Sequence, residues 1–183
     1  MTIHTTSFTP SELHRESIDF RGALRQLAGG VSVITTGSGY QRTGLTVTSV
    51  SSLSADPASL IVSINQNASS YPILKSFGSF GVNILPARLQ AVAERFSGVG
   101  GLKGEARFVG ADWFTLVTGA PLLLGALAAL DCTIEEIIER HSHAIVIGRV
   151  EATRIRSGEA PLGYWNGAYV STCHNEADAF VPS

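Results

Sequence analysis

A mainly β fold, a β-barrel with helices at its periphery, is what the sequence predicts. Three observations point there: six or seven segments rich in β-branched residues, turn residues that join most of them as hairpins, and too few helical stretches for regular strand-helix alternation. At 183 residues the chain fits one domain, large enough to bury roughly 70% of the surface its unfolded form exposes.

The elements follow in order. Residues 1–16 are polar and aperiodic and are expected to form a loose arm, followed by one domain over residues 17–172 and a tail over 173–183. Residues 17–30 carry Ile18, Phe20, Ala23, Leu24, Leu27 and Ala28 at helical spacing, with Gly29 and Gly30 as the stop. Residues 31–36 read as a strand, 37–42 as a turn and 43–53 as a second strand, together a hairpin. After the turn at Asp56 and Pro57, residues 59–64 form a third strand, apolar enough to predict burial on both faces. A short helix is expected over residues 70–77, with Ser69 or Ser70 as its cap and Gly78 as its end. Residues 79–85 read as a strand, 86–96 as a helix, and the glycine-rich stretch 97–104 as a mobile loop. Residues 126–140 suit a helix by composition, but Leu130, Cys132 and Ile134 alternate and the stretch is β-branched, so a strand is predicted. Residues 143–155 and 162–170 supply two more.

Composition excludes several functions. Net charge is −2 and no Lys/Arg cluster tracks a phosphate backbone or an anionic membrane, which argues against nucleic acid as a partner. No apolar run approaches the 18 or so residues that span a bilayer, and the first residues lack a secretory pattern, so a cytoplasmic protein is expected. Charged residues make up only 15%, against roughly 25% in ordinary soluble domains, which favours a homodimer that covers part of its own surface. Cys132 and Cys173 form no Cys-x-x-Cys and suggest neither a disulfide framework nor a zinc cage.

Familiar motifs fail in turn. Gly37 and Gly39 begin like a dinucleotide fingerprint, but Arg42 holds the third glycine position and a strand follows instead of a helix. The 98–104 loop fits no phosphate-loop pattern, and neither a hydrolase elbow nor a zinc helix is present. His141 and His143 would share a strand face, yet no third ligand accompanies them, so no metal site is expected. What remains is a density of hydroxyls and amides beside apolar strands: Thr46, Val47, Thr48, Ser49, Ser51 and Ser52, then Asn65, Ser69 and Ser70. A ligand with an apolar ring at one end and a polyol phosphate at the other suits this mixture, and a flavin is such a ligand. The bland alternative is an exposed Ser/Thr-rich face and a helix cap.

Beyond these separate readings, the chain resembles the flavin-reductase-like family from about residue 19 to residue 170. The landmarks are Phe20-Arg21, residues 30–36, Gly44-Leu45-Thr46-Val47-Thr48-Ser49 leading to Asp56-Pro57, Asn67-Ala68-Ser69-Ser70-Tyr71, residues 80–85, Arg95-Phe96, Gly119-Ala120-Pro121, and His143 to Gly148. The resemblance implies a split β-barrel of the FMN-binding type that forms a homodimer with its flavin site near the subunit interface. It also implies hydride transfer from NADH or NADPH to FAD or FMN, and delivery of the reduced flavin to a separate monooxygenase acting on an aromatic compound. Carried over by position, residues 46–52 would face the ring and ribityl chain, and Asn65, Ser69 and Ser70 the ribityl-phosphate end. Asn83 would lie close to the ring, Arg95 and Phe96 at the pocket edge, and His143 near the nicotinamide. The 98–104 loop is fuller than the family pattern. Two other functions fit the same barrel: a flavoprotein that retains FMN and reduces ferric iron or cobalt complexes, and a non-enzymatic flavin-binding domain.

Overall fold

The computed structural model describes residues 19–156 and 158–171. The expected arm and tail lie outside the described residues. Helix α1 (Phe20–Arg25) is capped by Asp19, whose carboxylate accepts the Gly22 N–H at 2.8 Å, and it buries none of its residues. It is shorter than the predicted 17–30 span, because Gly29–Gly30 does not cap it. That pair forms strand β1 instead.

Seven strands make the main sheet: β2 (Ser32–Thr36), β3 (Thr43–Val47), β4 (Ser51–Ala55), β5 (Ala58–Asn65), β6 (Ser79–Ile84), β9 (Ala128–Arg140) and β10 (His143–Ile155). The order is β3-β2-β6-β9-β10-β5-β4, and every pairing is antiparallel. The predicted strand over 43–53 is thus two strands. β3 and β4 lie at opposite edges of the sheet, yet only Thr48, Ser49 and Val50 connect them. From Val47 to Ser51 the chain reaches at most about 14 Å, whereas seven flat strands would hold their outer edges about 29 Å apart. The sheet must therefore curl until its edges meet, and the result is a barrel split along one seam.

Between the strands run α2 (Tyr71–Phe77) and α3 (Gln90–Ser97), the latter preceded by a 3₁₀ turn at Ala87–Leu89. The short hairpin β7 (Trp113–Phe114) and β8 (Leu122–Leu123) was not predicted. Strands β11 (Leu162–Trp165) and β12 (Ala168–Ser171) pair with each other, and β1 joins β11. The single strand expected over 162–170 is a hairpin because Asn166 and Gly167 both take positive φ (49° and 85°), the geometry of a two-residue turn whose twist matches its strands.

Alternation along β2 divides the core. Ile34 points into the barrel with Val62, Ile64, Leu74, Phe80 and Val146. Val33 points outward into a second cluster, where α3 brings Phe96, the 3₁₀ turn before β7 brings Phe108, β8 brings Leu122 and β11 brings Leu162. β2 is buried at every position, while β5 alternates, with Ile61 and Ser63 only partly covered. Burial on both faces, predicted for β5, belongs to β2, since no element of the described chain covers the outer face of β5. Inside the barrel Gly148 admits the Phe80 ring: a Cβ there would stand 2.4 Å from Phe80 Cζ. Cys132 is buried, and burial together with the nearby Asp131 and Glu151 charges pushes its thiol up to about 12, so it is protonated and unreactive at neutral pH.

Candidate functional site

The seam of the barrel is chemically unusual. Among the described residues, the peptide groups of Thr48, Ser49 and Val50 make no hydrogen bond, because the chain leaves β3 before it joins β4. Buried or half-buried peptide groups seek partners, and these three border open space. A cleft of about 370 Å³ lies on one side, lined by Val31, Thr46, Val47, Thr48, Ser97, Val99, Tyr164, Gly167 and Tyr169. A larger one, about 740 Å³, runs from α1 past Gly29, Gly30, Thr48, Ser49 and Val50 to Tyr164, Asn166 and Gly167. Thr48, Tyr164 and Gly167 border both, so the two form one groove with a narrow aromatic chamber and a wide mouth. Volumes of this size suit small ligands and nucleotides.

The sequence-predicted residues divide into three groups. Thr46, Val47, Thr48 and Ser49 line the groove, but two of their hydroxyls are engaged: Thr46 Oγ1 donates to the Ala93 carbonyl at 2.6 Å and Ser49 Oγ to the Ser63 carbonyl at 2.8 Å. Their role at the seam is partly to hold it shut, and Thr48 keeps a free hydroxyl among the described residues. Ser51 and Ser52 lie next along the chain on the exposed edge strand β4 and line neither cleft.

A second group gathers where β5 ends and β10 begins. His143 and Asn65 are direct partners across β5 and β10, so their side chains leave the same face of the sheet as near neighbours. Ser142 Oγ stands 2.9 Å from His143 Nδ1, and Gln66 Nε2 donates to the carbonyls of His141 and His143. His141 sits in the turn at φ 52°, off the strand, so the two imidazoles do not share a strand face. Asn65 Oδ1 accepts the Asn67 N–H, starting the turn that carries Ser69 and Ser70 to α2. Ser70 Oγ is buried and has no hydrogen-bond partner among the described residues. Close by, burial and the hydrogen bond to Glu139 push the Tyr71 hydroxyl up to about 12, while Lys75 holds the Glu139 carboxyl below its usual range. Ser49 links the two groups, since its Ser63 partner lies opposite Ile145, two residues along β10 from His143.

The third group is a correction. Asn83 is fully buried and its amide is occupied: Nδ2 donates to Val33 O at 3.0 Å and Thr35 Oγ1 at 3.2 Å, and Oδ1 accepts the Leu123 N–H at 2.6 Å. It clasps β6 to β2 and β8 and touches neither cleft. Phe96 is 1% exposed, locked edge-on against Phe108 and tilted against Trp113. Arg95 packs beside Gly110 away from the groove. The position-by-position expectation failed here because an asparagine in an apolar strand looks the same from sequence whether it faces a ligand or a neighbouring backbone.

Sequence reasoning missed the opposite wall. Tyr164 and Tyr169 stack edge to face at 5.2 Å and present aromatic surface to the groove. Burial raises the Tyr169 hydroxyl above its ordinary value. The Asn166-Gly167 turn is the signal that would have folded this hairpin onto the seam. Among the described residues no nucleophile-base pair lines the groove, whose walls are apolar, aromatic and peptide surface.

Comparison with known proteins identifies the family and the fold. The model of the "Flavin reductase like domain" family matches residues 24–172. An FMN reductase (NADH), RutF, from Agrobacterium fabrum is 36% identical over 155 residues, covering 85% of this chain and 88% of its own. The crystal structure of a flavin reductase from Haemophilus somnus superposes with a TM-score of 0.81 at 34% identity, over 86% of this chain and 99% of that one. The flavin reductase of styrene monooxygenase from Pseudomonas putida S12 does so with a TM-score of 0.75 at 26% identity, over 85% and 98%.

Proposed function

The chain belongs to the flavin reductase like family, and from that membership we propose that it is an NAD(P)H:flavin oxidoreductase whose reduced flavin serves a separate monooxygenase. The observation that carries this reading is the groove at the barrel seam, where the peptide groups of Thr48, Ser49 and Val50, unpaired among the described residues, line the wide mouth and Thr48 also borders the aromatic chamber. The residues present fit a flavin: Val31, Val47, Val99 and the two tyrosines suit the ring, and the free peptide groups suit its polar edge. When bound, the flavin supplies a two-electron acceptor for the hydride of the dihydronicotinamide. The chain's part is to hold, orient and exclude water. The Thr48 peptide at the chamber and those of Ser49 and Val50 at the adjoining mouth would offer donors to the polar edge of a bound ring, and because they are fixed by the backbone they would do so without reorganising. His143, beside Asn65, orients the donor.

The donor and acceptor pair proposed is NADH with FMN, the pair for which the Agrobacterium relative is named, with FAD and NADPH as the competing choices. The styrene monooxygenase reductase supports a two-component partnership and an aromatic substrate for the partner. A cytoplasmic location is part of this proposal, and a supply of reduced nicotinamide donors there supports it. The test follows NADH oxidation with FMN, FAD and riboflavin in turn. Protein-dependent oxidation is expected with at least one flavin, and none with any of them removes the proposal. His143→Ala should raise the nicotinamide KM or slow flavin reduction; unchanged kinetics would leave His143 without that role. Loosely held flavin predicts a colourless purified protein, and a yellow one favours the retained-FMN alternative.

We also propose a homodimer. Leu53 on the open edge strand β4 is 54% exposed, Ile145 two strands away on the outer sheet face 39%, and Phe20 and Leu24 on α1 and Leu27 just after it are uncovered. An open strand edge with apolar neighbours is a surface proteins ordinarily cover. Sedimentation equilibrium should return twice the chain mass, with Leu53→Glu shifting it toward monomer; a monomer at micromolar concentration would refute the dimer.

A further inference from the structure

We propose that Arg21 and Arg25 form the phosphate-binding pair for a nucleotide whose planar ring occupies the adjoining aromatic chamber. This rests on the reductase reading. The two arginines stand four residues apart on α1, on one face of the helix, and both line the wide mouth of the groove. Among the described residues no carboxylate lines that mouth, and the two guanidinium groups are its only charges. Its floor is Gly29 and Gly30, and a Cβ built on Gly30 meets nothing within 4 Å, which leaves room for a bulky anion against the backbone. The mouth opens through Thr48 and Tyr164 into the narrow chamber, so a ligand with a ring at one end and phosphates at the other spans both.

Six other described cations are committed elsewhere, and Arg95, Lys103, Arg140 and Arg154, which have no ionic partner among the described residues either, do not line the groove. Arg42 pairs with Glu105 at 3.3 Å and covers the Phe108 ring, Lys75 pairs with Glu139 at 2.8 Å, and Arg149 with Glu151 at 2.9 Å. Arg88 and Arg156 share Glu159, and Arg107 donates to the carbonyls of Leu102 and Gly44. Arg21 and Arg25 have no ionic partner among the described residues. Guanidinium groups match phosphate oxygens in two-pronged hydrogen bonds, which a lone peptide donor cannot supply.

Flavin mononucleotide and the nicotinamide donor both carry phosphate, and steady-state kinetics of the full chain separates them. The double variant Arg21→Ala/Arg25→Ala should raise one KM about tenfold while kcat stays within about twofold. A rise for FMN without a rise for riboflavin assigns the flavin phosphate. A rise for NADH with FMN unchanged assigns the pyrophosphate of the donor. Raising the salt concentration should weaken that substrate in the wild type and leave the double variant almost unaffected, and Arg→Lys at both positions should recover part of the loss. Gly30→Val, which fills the floor and keeps both charges, should raise the same KM. An active double variant with every KM and its salt dependence unchanged overturns the assignment, as does a Gly30→Val variant without effect. A wild-type protein that oxidises no NADH with any flavin overturns the reductase reading instead.

Discussion

Asn83→Ala is expected to lower the stability of the fold by about 3–5 kcal/mol, the sum of two stranded polar groups and a lost side chain. Its amide joins three pieces of chain: β6, which carries it, β2 through Val33 O and Thr35 Oγ1, and β8 through the Leu123 N–H. Alanine takes a partner from both the Leu123 N–H and the Val33 carbonyl in a fully buried site. Each such group costs about 1–3 kcal/mol without water to replace the amide. For a chain of this length each kcal/mol moves the midpoint by about 2–4 °C, so a drop on the order of 10 °C is expected. Chemical unfolding followed by tryptophan fluorescence checks it, and a loss under 1 kcal/mol would mean that water or a shift of β8 satisfies both groups. A second readout separates this role from the ligand contact that the family resemblance implies. Because Asn83 touches neither cleft, flavin KM per folded molecule should be unchanged well below the new midpoint.

The contrast between Asn83 and Thr48 shows how far the residues alone could lead. Alternation and turn chemistry made the long β9–β10 hairpin legible, down to the first and last residues of β10. The same cues failed at the seam. Residues 43–53 carry one uninterrupted β signal, and nothing local marks Thr48, Ser49 and Val50 as the place where the chain changes edges. That break is imposed by closure of the barrel, a property of all seven strands together. The wall opposite was hidden for a different reason: Tyr164 and Tyr169 reach the groove only because Gly29 and Gly30 pair with β11, and two glycines after a helical stretch read as its end. Hydroxyl density and family resemblance both singled out residues 46–52, while the distinction between Thr46 and Ser49, engaged in holding the seam, and Thr48, which has no such bond among the described residues, needed the hydrogen bonds themselves.

Thr48→Trp should therefore separate fold from function most sharply. Thr48 is exposed and borders both the aromatic chamber and the wide mouth, so a large side chain there obstructs the one passage between them. The core does not notice, since no buried cluster includes this residue. Flavin-dependent NADH oxidation is expected to lose about 100-fold in kcat/KM, equivalent to roughly 2.7 kcal/mol of transition-state stabilisation, with the unfolding midpoint within about 2 °C of wild type. Thr48→Ser, which keeps a hydroxyl and the open passage, should remain within about threefold. Val109→Trp supplies the control for bulk alone, because Val109 is 68% exposed and borders neither cleft. If Thr48→Trp keeps kcat/KM within threefold, the ring does not sit at the seam, and the pairing of His143 with Asn65 on the outer sheet face becomes the better place to look for it. If Val109→Trp is equally impaired, the loss reports a general effect of the added indole and says nothing about the groove.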